Sequence, residues 1–500
     1  MSGGLILRVC LLLAVALIAI AIACASENDT ANHISPQYQE IYAKDIQAKD
    51  NNSPIDYDHV SIIGDLNLDQ REFKSITITN SRFQGNASFS GTAFSEKADF
   101  KGTSFQKDAS FYQTLFGGGA DFTGCHFLGH ANFSESGFNA GATFDFAAFD
   151  MNASFSTARF DNFGSFLNAT FGGNADFFLA QFNGLYANFE ETHFRDSAGF
   201  IGCQFSPFLS FTQARLDKSA DFHASKFGGG ISLDKTVFLG EVSFDRAHFL
   251  EDSLFRDIDF NRSVDFGSAK FDGPSFFEDT RFHGNALFDS AQFNAPSDFN
   301  GSRFDRNLAM NSTKISTMIF DGVVFSPASR LFMAKADINR MMVKWSLIKD
   351  ILYYDSSAYL SLVKNYKDLG WDEADDCYYQ YRTINQDLKE WGPSKFMDIL
   401  AEISCGYGVR AERPIVCSLS LILLCMAVLW IGNGLRHPSD LGKRTTINDS
   451  LYYCFAIFFT IPLPDLEPEG RYRYVSVFLN ALGWTLFALL IATLANVMIG

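Results

Sequence analysis

The stretch Asn86–Phe94, NASFSGTAF, decides the fold, because its pattern is repeated along the chain as far as Ile315. Phe89 and Phe94 each follow a small residue by two positions, Ala87 and Thr92 respectively. Further phenylalanines recur at alternating intervals of five and six residues, which gives a period of eleven. Four positions of this ladder hold other apolar residues, namely Leu216, Leu233, Met310 and Ile315.

These intervals predict short β-strands separated by turns. Two inward residues with one polar residue between them are the alternation of a strand, and a helical period of 3.6 does not produce it. Turn-forming residues separate the units, for example at Gly117–Gly119. One extra residue, in NGLYANF at Asn183–Phe189, interrupts the period once. Such units, repeated at a fixed period, stack into a solenoid.

Several copies of the unit carry a family resemblance. NASFSGTAF, KADFKGTSF, GADFTGCHF and SADFHASKF resemble pentapeptide-repeat proteins, whose unit is A(D/N)LXX or its phenylalanine version. The resemblance implies a mostly β fold, a right-handed quadrilateral β-helix. The alternation of five and six indicates 22 residues per coil, where the family usually has 20. The stretch from Phe89 to Ile315 then makes about ten coils, and Asp56–Phe83 is expected to cap the first one.

Outward positions of the repeat hold a series of aspartates: Asp99, Asp121, Asp176, Asp221, Asp265 and Asp298. Asp99 and Asp121 are one coil apart, so the series has two interpretations: a ladder of calcium sites or a solvated polar face. The polar face is favoured, because serines and asparagines interrupt the series and calcium needs several converging oxygens. No cysteine or histidine spacing indicates a metal site, and we predict no metal and no cofactor.

The first residues have the shape of an export signal. Arg8 precedes the apolar stretch Val9–Ala23, and Cys24 follows a small-x-small triplet. Residues 1–24 are therefore predicted to be a signal peptide or a membrane anchor, with Cys24 as a cleavage or lipidation site. In both cases the following segment is exported, which predicts an extracellular repeat domain.

Changes of pattern divide the rest of the chain. We predict an N-terminal segment and cap over 25–83, the repeat over 84–325, and an α-helical linker over 326–412. The linker is expected to form a hairpin around Gly370. Two apolar segments, 413–433 and 474–500, are predicted to cross the membrane, and a loop with a re-entrant segment occupies 434–473. The sequence therefore indicates a multi-pass protein of the cell membrane.

The segment Arg410–Gly500 resembles the two-transmembrane pore module of potassium channels. Its middle, DSLYYCFAIFFTIPLPD at Asp449–Asp465, resembles a pore helix followed by a filter. The resemblance assigns the filter to Thr460, Ile461, Pro462, Leu463, Pro464 and Asp465. Prolines occupy the two glycine positions that let successive carbonyls face the ion, so potassium selectivity of the usual kind is not expected.

Two functions follow from these features. The first is an ion-channel-like membrane protein, assembled as a homo-oligomer in contact with membrane lipids and monovalent cations. The alternative is a membrane-tethered surface scaffold or recognition module with a degenerate, non-conducting pore region; the sequence specifies no protein ligand for the rod. The net charge of −17 argues against nucleic acid. A DNA-mimicking rod is disfavoured by the export signal, and no enzyme motif is present.

Overall fold

The computed structural model describes residues 38–51, 53–438, 444–462 and 465–499, with the backbone alone at 496–499. Residues 39–342 form a four-sided β-solenoid. One coil consists of the strands Ala109–Ser110, Leu115–Phe116, Ala120–Asp121 and His126–Phe127, which define faces I, II, III and IV in that order. Each strand pairs in parallel with the strand one coil away, so the faces are continuous ladders.

The ladders run the length of the rod. Their first and last strands are Leu66–Asn67 and Leu331–Phe332 for face I, Glu72–Phe73 and Asp337–Ile338 for face II, Ile55–Asp58 and Met341–Met342 for face III, and Gln39–Tyr42 and Val324–Phe325 for face IV. Most strands have two residues. The strands Gln292–Asp298 and Lys314–Ile319 continue around the corner between faces II and III and join them into one sheet.

The solenoid is longer than the sequence indicates. It has about fourteen turns, whereas the repeat predicts about ten. In the regular part the register advances by 22 residues, as in the pair Ala98 and Ala120. The first coils advance by 21, as from Ile55 to Ile76. The last advance by 21 or 23, as from Phe304 to Phe325 and from Leu308 to Leu331. The phenylalanine period does not predict these end coils, because their spacing differs and because isoleucine, leucine and methionine replace phenylalanine at their inward positions.

Stacked phenylalanines fill the core. Phe122 and Phe144, one coil apart on face III, have ring centroids 4.8 Å apart and parallel planes. Between faces the rings meet edge to face, as Phe111 and Phe122 do at 5.2 Å. The small residues beside them are also buried, and their hydroxyl or thiol groups bond to the main chain. Thr114 Oγ1, for example, donates to the Phe89 carbonyl at 2.7 Å.

Helices cover both ends of the core. Helix α1, Ala43–Gln47, buries Ala43 and Ile46 at the first coils. At the other end lie α2, Trp345–Ile348, α3, Ser356–Leu369, and α4, Glu373–Leu388. Their buried aromatic residues Trp345, Tyr359 and Tyr366 continue the phenylalanine core of the rod. The chain reverses between α3 and α4 at Gly370, which has a φ of 68°.

Beyond this cap the chain enters a helical module. It consists of α5, Pro393–Cys405, a 3-10 turn at Gly406–Gly408, α6, Glu412–Ile431, α7, Ile447–Phe458, a 3-10 turn at Gly470–Tyr472, and α8, Arg473–Ile499. Helix α6 and the stretch Gly470–Ala495 are long and apolar enough to cross a membrane. A short antiparallel pair joins Leu435–Arg436 to Glu467–Pro468.

Candidate pore segment

Helix α7 lies between the two long apolar helices. Its 12 residues correspond to about 18 Å, too short for a hydrocarbon layer of about 30 Å. One side of α7, including Tyr453, Cys454 and Phe458, is buried against α6 and α8. From Leu451 to Phe458 the sequence of α7 is largely apolar, so its position depends on the helices that cover it. A short helix held at membrane depth by two spans has the arrangement of a re-entrant segment.

The start of α7 is capped by its own side chains. Thr446 Oγ1 accepts a hydrogen bond from the Asp449 main-chain N–H at 3.2 Å, and the Asp449 carboxylate accepts one from the Thr446 N–H at 2.7 Å. This reciprocal pair is a capping box, which satisfies donors that a helix start leaves free. The negative carboxylate also lies at the positive end of the helix dipole.

The end of α7 closes on itself. Thr460 has a φ of 57°, a left-handed conformation in which glycine is usual. The Thr460 N–H donates to the Ile457 carbonyl at 3.1 Å, and the Ile461 N–H donates to the Ala456 carbonyl at 2.7 Å. These two bonds form a Schellman motif, and Pro462, which lacks an N–H, prevents further helix.

Two contacts fix α7 against α8. The Tyr453 and Ser476 hydroxyls are 3.0 Å apart in the buried interface. At Gly483 the backbones approach so closely that an added Cβ would lie 2.9 Å from the Phe458 carbonyl oxygen and 3.0 Å from its ring. Only glycine therefore permits this separation between the end of α7 and α8.

The loops on both sides of α7 are tied together. Leu435 pairs with Pro468, and the Arg436 guanidinium is 3.1 Å from the Glu467 carboxylate. His437 is buried, and its Nδ1 is 3.2 Å from the Asp465 carbonyl oxygen.

The Tyr472 ring packs against this pair of loops. An added Cβ at Gly432 or Gly434 would overlap the ring atoms of Tyr472. This side of the module thus forms a compact support for the segment that follows Thr460.

Of the predicted filter residues, Asp465 contacts this support through its carbonyl oxygen. Thr460, Ile461, Pro462 and Asp465 are all exposed in the single chain. Leu463 and Pro464 lie outside the described residues, as does the predicted processing residue Cys24.

Electrostatics at the end of α7 favour a cation. The last carbonyls of a helix carry the equivalent of about half a negative charge, and the end of α7 points to Thr460–Pro462. Asp465, Glu467 and Glu469 follow within a few residues. Within the described ranges, no group of three or more histidine, cysteine, aspartate or glutamate side chains could hold a metal ion. The site therefore presents weak, distributed negative charge.

The outer side of α7 is open in one chain. A groove of about 510 Å³ runs along it, lined by Leu451, Tyr452, Phe455, Phe459 and Ile461 among others. The walls of this groove are apolar, so a single copy of the chain does not complete the surroundings of the segment.

Several supporting residues were not predicted from the sequence. The capping box at Thr446 has a readable signature, a threonine followed three residues later by an acidic residue before an apolar run. The sequence shows glycine at 432, 434 and 483, which permits another segment to approach the backbone closely but does not identify that segment. The contact of His437 with the Asp465 backbone has no local signal, because the two residues are brought together by the pairing of distant loops.

Comparison with known families agrees with this geometry. A family model described as pentapeptide repeats matches in nine copies, among them residues 78–126, 100–148 and 223–270. A second model, described as ion channel, matches residues 416–500. No curated protein and no solved structure matches the chain. The chain thus joins pentapeptide repeats and a two-transmembrane ion-channel domain in a single polypeptide.

Proposed function

We propose that several copies of this chain assemble into a membrane channel for monovalent cations whose solenoid rods lie outside the cytoplasm. One observation carries the proposal: the short helix α7 is wedged between two membrane-capable helices and ends at the filter-like segment. The negative end of its dipole, together with Asp465, favours a cation beside that segment.

Assembly from several copies is supported by the open side of α7. Tyr452, Phe455, Phe459 and Ile461 are exposed there in the single chain. Two spans and one re-entrant helix cannot enclose a pore, because a pore needs protein on every side. Identical subunits around a closed symmetry axis supply that wall.

Weak selectivity is supported by the backbone after α7. A potassium filter aims successive carbonyls at the ion, which requires glycine conformations at alternating positions. Here the Ile461 N–H is used to close the helix, and Pro462 follows with a fixed φ. We therefore expect this pore to distinguish potassium poorly from sodium.

The orientation is supported by the ends of the module. The start of α6 and the last turns of α8 lie beside the helical cap of the rod, where Leu489 and Thr493 share a cavity with Val363 and Tyr407. The described loop residues between the spans are at the far side. The sequence from the end of α6 to the start of α8 carries five basic residues, Arg436, Lys443, Arg444, Arg471 and Arg473. Positive loops favour the cytoplasm. An exported rod therefore places the filter-like segment toward the cytoplasm.

Ion flux tests conduction directly. Purified full-length protein in liposomes is expected to pass potassium and sodium at similar rates, and Asp465→Asn is expected to slow both. The rod variant Asp121→Asn, which makes the same charge change far from the module, is the matched control. Absence of flux from the unaltered protein in a confirmed oligomer would reject the channel.

That last outcome would favour the second function, a non-conducting anchor for a surface rod. The closed end of α7 supports this second function. Its Thr460 and Ile461 N–H groups bond within the helix and a proline follows, which is not the backbone of a potassium filter.

Labelling of introduced cysteines tests the orientation. In intact cells, a membrane-impermeant maleimide is expected to modify Phe146→Cys on the rod and to leave Glu469→Cys unmodified until the cells are opened. Phe146 and Glu469 are both exposed, so each site is accessible from its own side. The reverse pattern would place the rod in the cytoplasm.

A further inference from the structure

Helix α5 has one uncovered apolar side. Its residues Phe396, Met397, Leu400 and Ile403 are 56%, 62%, 44% and 58% exposed, and these four residues define the apolar face of α5. At 100° per residue they fall within an arc of about 120° on the helix. An exposed arc of this kind marks an interaction surface.

The opposite side of α5 is held by polar contacts. Asp398 forms ion pairs with Arg382, at 3.1 Å, and with Lys389. The Glu402 carboxylate accepts hydrogen bonds from the Tyr379 hydroxyl at 2.9 Å and from Gln386 at 3.0 Å. The helix is therefore fixed with its acidic side against α4, and its apolar face cannot turn inward without breaking these bonds.

The position of α5 in the chain brings the apolar face to the membrane. Helix α5 ends at Cys405, and α6 begins at Glu412. The intervening turn contains three consecutive left-handed residues, Gly406, Tyr407 and Gly408, which redirect the chain. Helix α5 also packs against both α6 and α8. Its uncovered side is thus next to the ends of both spans.

Trp391, just before α5, and Lys395, in its first turn, suit a membrane surface. Trp391 is 81% exposed, and the Lys395 ammonium lies over its ring at 5.6 Å from the centroid. Tryptophan and lysine are enriched at the level of the lipid headgroups. An amphipathic helix with such flanks lies in the interface and inserts its apolar residues to a depth of about 5–10 Å.

We propose that α5 lies in the membrane–water interface, with its apolar face among the lipid acyl chains just below the headgroups. This inference rests on the membrane module of the proposed function but not on conduction. The occupant of the surface is lipid: the face lies beside the spans, and the flanking tryptophan and lysine match headgroup chemistry. The helix then anchors the base of the rod, through α4, to the membrane surface.

Fluorescence quenching tests this position in the full-length protein. A fluorescent amino acid is placed at Met397, or at Ile403 as a second site, and the protein is reconstituted in liposomes containing nitroxide lipids. We expect a nitroxide near the headgroup to quench both sites more than one near the chain end. A label at Leu424, an exposed residue of α6, is expected to show the reverse order, and a label at Phe146 on the rod is expected to show no quenching.

The outcomes separate the two proposals. Quenching at Leu424 with none at Met397 and Ile403 overturns the interfacial helix and leaves the membrane module in place. No quenching at any of the three sites overturns both. Crosslinking between copies through Met397→Cys, together with the absence of quenching, assigns the face to a second copy of the chain and also overturns the lipid contact.

Discussion

Single residues of the rod contribute in two ways. Each phenylalanine stacks on the one a coil away, as Phe105 does on Phe127 with centroids 4.8 Å apart. Each hydroxyl or thiol at the small positions satisfies a carbonyl of the preceding coil, as Cys125 Sγ does for the Phe100 carbonyl at 3.0 Å. The Phe100 carbonyl also accepts a hydrogen bond from the Thr103 N–H. The side-chain bond therefore satisfies the buried thiol or hydroxyl, which would otherwise lack a partner away from water.

Removal of one stacked ring should destabilise the rod. Phe122→Ala deletes a fully buried ring that has stacked and edge-to-face neighbours, and we expect a loss of about 3–5 kcal/mol in the free energy of unfolding. Phe146→Ala, at an exposed corner, is the matched control and should change little. Thermal unfolding of the full-length protein measures both. Equal shifts in the two variants would contradict the stacking account.

Acid should weaken the contact between His248 and Asp272, which lie on adjacent coils. A hydrogen bond from His248, at 2.7 Å, and others from Asn294 and Lys270 hold the pKa of Asp272 well below its usual value of about 4. Because the pKa is lowered in the folded state, this group stabilises the rod above about pH 4, and the contribution is lost as the pH falls below that value. Asp272→Asn should therefore reduce the fall in melting temperature below pH 4.

The control for this prediction is Asp257→Asn, an exposed aspartate on the same rod. Its melting temperature should follow that of the unaltered protein across the acid range. An unchanged acid profile in Asp272→Asn would show that the His248 pair does not contribute to stability.

Elements of the membrane module are defined by their ends. Helix α7 begins at a capping box and ends at a Schellman motif, so both of its boundaries are determined locally. Its position is determined by α8, which approaches it through Gly483. The orientation of helix α5 is likewise determined by a neighbouring helix. Its polar contacts with α4 decide which side of α5 remains uncovered.

A side chain at Gly483 should displace α7. Gly483→Val would place Cβ within 2.9 Å of the Phe458 carbonyl oxygen, so the end of α7 and Thr460 must move. We expect reduced cation flux in liposomes and a lower melting temperature in detergent. Ala481→Val adds volume two residues away at an exposed position and should retain the flux. Unaltered flux in Gly483→Val would show that the approach of α8 does not position the filter-like segment.

Across the whole molecule one apolar core connects the rod to its helical cap. Buried residues continue from the phenylalanine ladder through Trp345 and Tyr359 to Ala374 and Cys377 of α4. Helix α8 packs against α5 and the Gly406–Gly408 turn, and it shares with the cap a cavity of about 480 Å³ that Leu360 and Leu489 line. The rod is therefore connected to both spans, covalently through α6 and by packing through α8.

The rod should tolerate the loss of a complete coil. Deletion of residues 120–141, one 22-residue turn, joins strands that already have the same register, because each coil contacts only its neighbours. We expect the full-length protein to remain folded, with a small change in melting temperature. Deletion of residues 120–135 removes three strands, so that corners of three and four residues exchange places and the following strands move to the wrong faces. This deletion should make the rod sensitive to trypsin. Equal resistance of both deletions would contradict the register argument.

Sequence reasoning succeeded where a local rule repeats. The phenylalanine period predicts the solenoid and its 22-residue coil, and the comparisons and the structure confirm both the repeat and the ion-channel resemblance. It failed at the ends of the rod, where coils of 21 and 23 residues use other apolar residues. For the candidate site the sequence predicts Thr460 and Asp465 as filter residues, and it gives no indication of the His437 contact or of the approach at Gly483.

The sequence by itself determined that this protein is a phenylalanine-filled β-solenoid followed by two apolar spans with a short apolar segment between them. It could do so because strand alternation, turn residues and span length are properties of neighbouring residues. Only the tertiary structure decided the number of coils, the approach of α8 to α7 at Gly483 and the uncovered side of α5. These features depend on contacts between residues distant in the chain, which no local pattern records.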